Sequence, residues 1–334
     1  MRPLVDRSRV RVAPCFPAVV ALLTVACCSL PPGAPGVDEQ AARPGSVAES
    51  EMQYATTAQV LDAVLAAQEV YQLPKPVAAT LTANDQAAPK KRFDCIAVDN
   101  PTNAHAYGEC AFGDPTSEKL MVVYGDSRAD MWAATLEQVA RLGGWQLRVF
   151  AQHACPGPDL QFMSMETMSP NSECDVFHRN APGAVKALEP DLVLVTSMKD
   201  WLLADGSAAS AEEWQDGWIS TIRKLVRPGT DLVMLGDIAQ WNNNGPRCLA
   251  AHIDSVQDCS VPAAEANWGH SPAEQAAAAT FGALYVPTTP WFCAQRCEPV
   301  IADIRVFNDE SHITQTYALY LVGAMKEALR TVMA

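Results

Sequence analysis

From residue 120 onward the chain alternates between two kinds of segment, and no other feature limits the fold as much. Short apolar, β-branched runs occur at Leu120–Tyr124, Leu147–Phe150, Leu192–Thr196, Leu232–Leu235 and Leu284–Val286. Between them lie stretches with apolar residues at helical spacing: Ala129–Leu142, Val176–Leu188, Ala211–Val226 and Pro272–Phe281. A last helix is expected from about Thr314 to Val332. Continuous apolar runs suit strands covered on both faces. The pattern therefore predicts an α/β fold, a parallel sheet of about five strands with helices on both sides. In such sheets ligands bind beyond the carboxyl ends of the strands. That rule directs attention to Gly125–Arg128, Gln152–Pro158, Ser197–Trp201, Asp237–Trp241 and Thr288–Phe292.

The N-terminal part is organised differently. Arg2, Arg7, Arg9 and Arg11 face a single Asp6, and Phe16–Leu30 then carries no charge. A basic start before a short apolar run is the secretory-signal pattern, and the run is short for a spanning helix. LTVAC, ending at Cys27, loosely matches a lipobox, with Thr24 where Leu is preferred. Residues 1–30 are thus expected to be a signal peptide or a membrane or lipid anchor; a buried core helix is the plain alternative. Residues 31–90 read as a linker, rich in Pro, Gly and Ala at 31–50. One helix is expected within it over about 57–73, ended by Pro74 and Pro76. Whether that helix packs on the main domain or forms a stalk stays open. A net charge of −14 argues against general nucleic-acid binding.

Apart from Cys15, Cys27 and Cys28, the cysteines fall into close sequential couples: Cys95 with Cys110, Cys155 with Cys174, Cys248 with Cys259, and Cys293 with Cys297. Local disulfides in an oxidising compartment are the favoured reading, although eight cysteines allow 105 pairings. Metal is the competitor, since Cys293-x3-Cys297 and Cys248-x3-His252 have ligand-like spacing, but no second tight motif completes a four-ligand set.

Two segments carry chemistry. LMVVY runs straight into Gly125-Asp126-Ser127-Arg128, after which a helix begins. Gly125 permits a tight turn, and Ser127 lands at a helix N-terminus, where free N–H groups can support an oxyanion. The plain alternative is that Asp126 or Ser127 only caps the helix. Ala129 stands where a G-x-S-x-G elbow needs its second glycine. Near the C-terminus, Asp309 and His312 lie three apart just ahead of the last helix. A carboxylate can then reach one imidazole nitrogen while the other faces the active-site loops. A solvated turn capped by Asp309 or Ser311 is the alternative.

Gly-Asp-Ser after the first strand and Asp-x-x-His before the last helix resemble the SGNH (GDSL-like) esterase superfamily. More narrowly, residues 91–334 resemble the extracytoplasmic SGNH domain often fused to acyltransferase-3 membrane O-acyltransferases. Other shared features are Cys110-Ala-Phe-Gly-Asp, Cys155-Pro, Cys174 with Arg179, Pro190-Asp191, Cys248-Leu, the Cys293/Cys297 couple and RVFNDESHITQTYA. The resemblance implies a three-layer α/β/α, flavodoxin-like fold. It also implies a triad of Ser127 as nucleophile, His312 as base and Asp309 as the acid that orients it. Two departures stand out. Arg128 occupies a position where many members have His, and reads as a positioning residue. Ser197-Met198-Lys199-Asp200-Trp201 replaces the GxND-type block that supplies oxyanion donors. Lys199 could serve as a donor, though a surface lysine is the plainer reading.

Among weaker candidates, His153 could touch substrate, and Trp201, Trp241 and Trp291 could stack on sugar rings, with a loop position and core or rim packing as the plainer readings. Arg179 reads as a structural ion pair or cap. His105, His178, His252 and His270 show no sequence partner. The expected protein is an exported serine esterase or O-acyltransferase acting on acylated envelope glycan or glycolipid, outside the cytoplasm. It would need no metal or organic cofactor, bind no nucleic acid, and touch the membrane only through its N-terminal segment. With one hydrophobic segment, it would be a stand-alone relative or the companion of a separate membrane acyltransferase. A catalytically silent, glycan-binding SGNH module is the rival.

Overall fold

The computed structural model describes residues 54–85, 111–199, 201–239, 245–266 and 271–334. The expected N-terminal segment 1–30 lies outside them, as do Cys95, Cys110, His105, His270 and Trp241.

Five parallel strands form the centre: β2 (Leu120–Gly125), β3 (Gln146–Ala151), β4 (Leu192–Thr196), β5 (Asp231–Leu235) and β6 (Leu284–Val286). A two-residue strand, β1 (Phe112–Gly113), adds an antiparallel edge beside β3. The sheet order is β1-β3-β2-β4-β5-β6. The chain thus steps outward from β2 in both directions, which places the topological switch point at the end of β2.

Helices α2 (Ser127–Gly143), α3 (Ser172–Ala187), α4 (Ala211–Leu225) and α5 (Ser271–Thr280) connect the strands. After β6 come α6 (Gln315–Tyr320) and α7 (Val322–Ala328), and before the sheet stands α1 (Thr57–Ala67). Alternate residues of β2 feed two cores. Met121 and Val123 pack with Trp132 and Leu136 of α2, Val60 and Val64 of α1, and Val322 of α7. Val122 and Tyr124 face Phe177 of α3 and Trp214 and Trp218 of α4. Three layers follow directly from this two-sided burial.

Local sequence sets the helix starts. Ser210 and Glu213 form a capping box on α4, and Thr56 and Gln59 do the same for α1. The ends depart from expectation twice. Helix α1 stops at Ala67 rather than near 73, because Gln68 reaches across to the Arg296 carbonyl and to Glu298, and Leu73 N–H donates to the Ile253 carbonyl. The C-terminal helix is interrupted at Leu321. There the Ala318 carbonyl, whose helical partner would be the Val322 N–H, accepts the buried Thr135 hydroxyl at 2.7 Å. The helix that the spacing left open as a stalk packs on the domain, and its Thr57 N–H donates to Glu327. Among the described residues no helix is long and apolar enough to cross a membrane.

Candidate active site

Buried Asp126 caps α2 by accepting the Arg128 N–H at 2.8 Å. Its other oxygen accepts the Met198 N–H at 2.8 Å and the Ser197 hydroxyl at 3.2 Å, tying the β2 loop to the β4 loop. Burial raises its carboxyl above the ordinary value, opposed by Arg128 and by these N–H donors. Since Asp126 takes the capping role, the Ser127 hydroxyl is left available. Gly125 does not lie in the left-handed region. It is needed because a Cβ there would fall 2.0 Å from the Thr196 carbonyl oxygen on β4. Close approach, not a special turn, requires the glycine.

The loop ahead of α6 supplies the partner. Asn308 N–H donates to the His312 carbonyl at 2.8 Å, and Thr314 caps α6. Inside this loop both Asp309 oxygens lie 3.0 Å from His312 Nδ1, and His312 Nε2 lies 2.9 Å from Ser127 Oγ. Asp309 also accepts the backbone N–H groups of Ser311 and His312, each at 2.8 Å. Burial alone would raise the Asp309 carboxyl; the bond to His312, its charge and the two N–H donors outweigh that and hold it far below the usual carboxylate range. The three residues can therefore pass a proton from a hydroxyl to an imidazole whose orientation a carboxylate fixes.

A support that the sequence concealed comes from residues 81–85. Arg305, almost fully buried, donates to the Leu81 and Ala83 carbonyls. Asp85 N–H donates to Asn308 Oδ1, and the Asp85 carbonyl accepts the Gln315 N–H. Both ends of the His312 loop are thus fastened to a stretch that reads as linker.

The remaining candidates separate. Arg128 is fully buried and its Nε donates to Asp237 at 2.6 Å, so it anchors α2 to the β5 loop. Lys199 is buried, not a surface lysine: its N–H donates to Asp237 and its ammonium to Ser271 at 2.7 Å. Nearby Glu274 is so desolvated that its carboxyl is pushed up to about 8 despite the Lys199 charge. His153 pairs with Asp130 at 3.1 Å. Trp291 is core, edge-on to Trp132 at 6.0 Å; half-buried Trp201 donates its indole N–H to the Met163 carbonyl. Arg179 is exposed, and His252 lies 3.4 Å from Asp258.

Cys155–Cys174, Cys248–Cys259 and Cys293–Cys297 are disulfides. Buried His178 sits beside the first of them, bonded to the Pro156 carbonyl at 2.8 Å. These three side chains approach one another as metal ligands would, but the two sulfurs are bonded to each other.

A family model of SGNH domains (fused to AT3 domains) matches residues 94–327. The periplasmic domain of the lipopolysaccharide acetyltransferase of Salmonella ser. Paratyphi A is similar in structure, with 13% identity and a TM-score of 0.51, covering 82% of this chain and 98% of that one. A putative acylhydrolase from Bacteroides fragilis NCTC 9343 follows with 14% identity and a TM-score of 0.43, covering 71% and 98% of the two chains. The first of these likenesses is a likeness of fold. No curated protein matches the chain significantly.

Proposed function

The chain belongs to the family of SGNH domains fused to AT3 domains, and on that premise we propose that it is a serine-dependent esterase or O-acyltransferase that works through an acyl-enzyme. The observation that carries this reading is the line Ser127 Oγ–His312 Nε2 at 2.9 Å with His312 Nδ1 at 3.0 Å from Asp309. Ser127 Oγ attacks the ester carbonyl carbon while His312 takes its proton. The negative charge on the carbonyl oxygen meets the Ser127 N–H at the α2 N-terminus. As the C–O bond breaks, His312 protonates the leaving alcohol and Ser127 holds the acyl group. Water or a sugar hydroxyl then attacks, gives its proton to His312, and Ser127 recovers it. Asp309 stays ionised throughout and holds the imidazole in the productive tautomer.

The substrate class we propose is an acyl ester, acetyl above all, of a cell-envelope glycan or glycolipid. Membership of an AT3-fused family supports it, and the likeness to a periplasmic acetyltransferase domain is consistent with it. We place the protein outside the cytoplasm, secreted or held at the outer face of the membrane, with a membrane acyltransferase as its partner. Disulfides and the apolar segment Phe16–Leu30 support that location.

A second reading, a silent module that binds or presents glycan, is favoured by one observation. Lys199, where the family places an oxyanion donor, commits its ammonium to Ser271 and its N–H to Asp237. Turnover of p-nitrophenyl acetate by the full chain, set against Ser127→Ala, decides between the two. Turnover that disappears in folded Ser127→Ala supports the enzyme. Absence of turnover in the wild type favours the silent module.

A further inference from the structure

Helix α2 carries a second acid on the face that bears Ser127. Asp130 lies three residues on, so the two side chains leave the helix on one side, a turn apart. Its Oδ2 is 3.1 Å from His153 Nε2. His153 stands in the loop leaving β3, and that loop is tied to the serine's turn by the Gln152 N–H, which donates to the Gly125 carbonyl at 3.1 Å. Directly after His153, Ala154 sits in the left-handed region at φ 55°, a backbone state that residues with a Cβ rarely adopt.

Burial distinguishes this couple from an ordinary surface ion pair. The Asp130 side chain is 9% exposed, and its Oδ1 is buried with no hydrogen-bond partner among the described residues. The His153 side chain keeps 34% of its surface open. The acid is enclosed and the imidazole is presented. A carboxylate oxygen that accepts from Nε2 fixes a proton there, and in the neutral ring Nδ1 then offers a lone pair. A lone pair on a half-open imidazole, held by an acid one helical turn from Ser127, suits a hydroxyl donor.

We infer that His153, oriented by Asp130, binds the polyol that accepts the acyl group, by taking a hydrogen bond from a hydroxyl adjacent to the attacking one. This rests on the acyl-enzyme reading above. The attacking hydroxyl gives its proton to His312 as its oxygen bonds to the acyl carbon; the bond from that carbon to Ser127 Oγ breaks, and His312 returns the proton to Oγ. His153 gains and loses no proton. Water and simple alcohols have no neighbouring hydroxyl to anchor, so His153 biases the acyl-enzyme toward a vicinal diol.

Partitioning of the acetyl group tests this. The full chain is supplied with p-nitrophenyl acetate in the presence of glycerol, and separately methanol, and the ratio of new ester to free acetate is measured. In the wild type glycerol competes with water better than methanol does. His153→Ala lowers the glycerol-to-water ratio about five- to tenfold, as loss of one hydrogen bond implies, and leaves the methanol-to-water ratio where it was. Asp130→Asn lowers the glycerol ratio in the same direction, because its amide can donate to Nε2 and move the ring proton to Nδ1. Nitrophenol release that survives Ser127→Ala overturns the acyl-enzyme reading and this inference with it. Ser127-dependent release with no glycerol ester from the wild type, or with an unchanged glycerol ratio in His153→Ala, overturns this inference alone.

Discussion

Replacing Gly125 by alanine strikes the contact between β2 and β4 two residues before Ser127, the nucleophile we propose. The added Cβ would lie 2.0 Å from the Thr196 carbonyl oxygen and 3.1 Å from its carbon, where real Cβ contacts essentially never fall under 3.0 Å. The neighbours are backbone atoms of a fully buried residue paired with Gly125 in the ladder, so no flexible side chain can give way. The two strands must part by about 1 Å at their carboxyl ends, at an overpacking cost of roughly 1–3 kcal/mol. One or two weakened ladder hydrogen bonds add about 1 kcal/mol each. A loss of roughly 2–5 kcal/mol is expected in urea unfolding followed by circular dichroism. Ester turnover by the folded fraction should fall about 10²-fold, because Ser127 moves relative to His312. Gly183→Ala is the internal control. Gly183 lies inside α3 with nothing within 4 Å of its added Cβ, so that substitution should stabilise by about 0.5–1 kcal/mol. A Gly125→Ala protein within 1 kcal/mol of the wild type and fully active would refute the close-approach argument.

Other outcomes can be checked with the same protein. Ser127→Ala and His312→Ala should each remove nearly all turnover, and the double variant should be no worse than either, since the residues act as one unit. Asp309→Asn should keep the fold and lose activity by up to about 10⁴-fold, read as kcat on one ester. Asp309 should contribute no acid limb to turnover near neutral pH, because its carboxyl stays ionised far below the usual carboxylate range. The depressed Asp309 carboxyl adds stability at neutral pH that is lost as pH falls below its ordinary value of about 4, so Asp309→Asn should flatten the acid side of a stability-versus-pH curve. Glu274 works oppositely: with its carboxyl raised to about 8, the folded state favours the protonated form and stability falls as pH rises from about 4.5 toward 8. Urea midpoints of Glu274→Gln should show a weaker decline over that window. Non-reducing peptide mapping should recover the three disulfides described here together with a Cys95–Cys110 peptide.

What the sequence made legible was local. The three central strands are short apolar runs with both faces largely buried, and the flanking two are half-buried in part; each signal lies within a few residues, and all five strands appear where the runs stand. Ser127 and the Asp309–His312 couple were recognisable because each sits in a short block between a strand and a helix. The burial of Lys199 was not, because Ser271, which receives its ammonium, lies 72 positions away. Nor was the role of residues 81–85: a polar, proline-flanked stretch has linker composition, and only the fold brings Arg305 and Asn308 to its backbone. Trp291 follows an apolar run at the carboxyl edge of the sheet, yet its ring packs edge-on to Trp132 in the core, and its carbonyl accepts the Tyr317 hydroxyl. The capping of α2 shows the limit most clearly. Asp126 and Ser127 are equally good caps by composition, and the choice falls to Asp126 because Met198 and Ser197 converge on its second oxygen.

The central claim is that Ser127 is a nucleophile activated by His312. Treating the purified full chain with a serine-directed fluorophosphonate and mapping the adduct by intact-mass and peptide spectrometry tests this directly. One adduct is expected, on the peptide that contains Ser127, with labelling slowed strongly in His312→Ala and absent in Ser127→Ala. A folded wild-type protein that takes no label at Ser127, or labels as fast without His312, would contradict the claim.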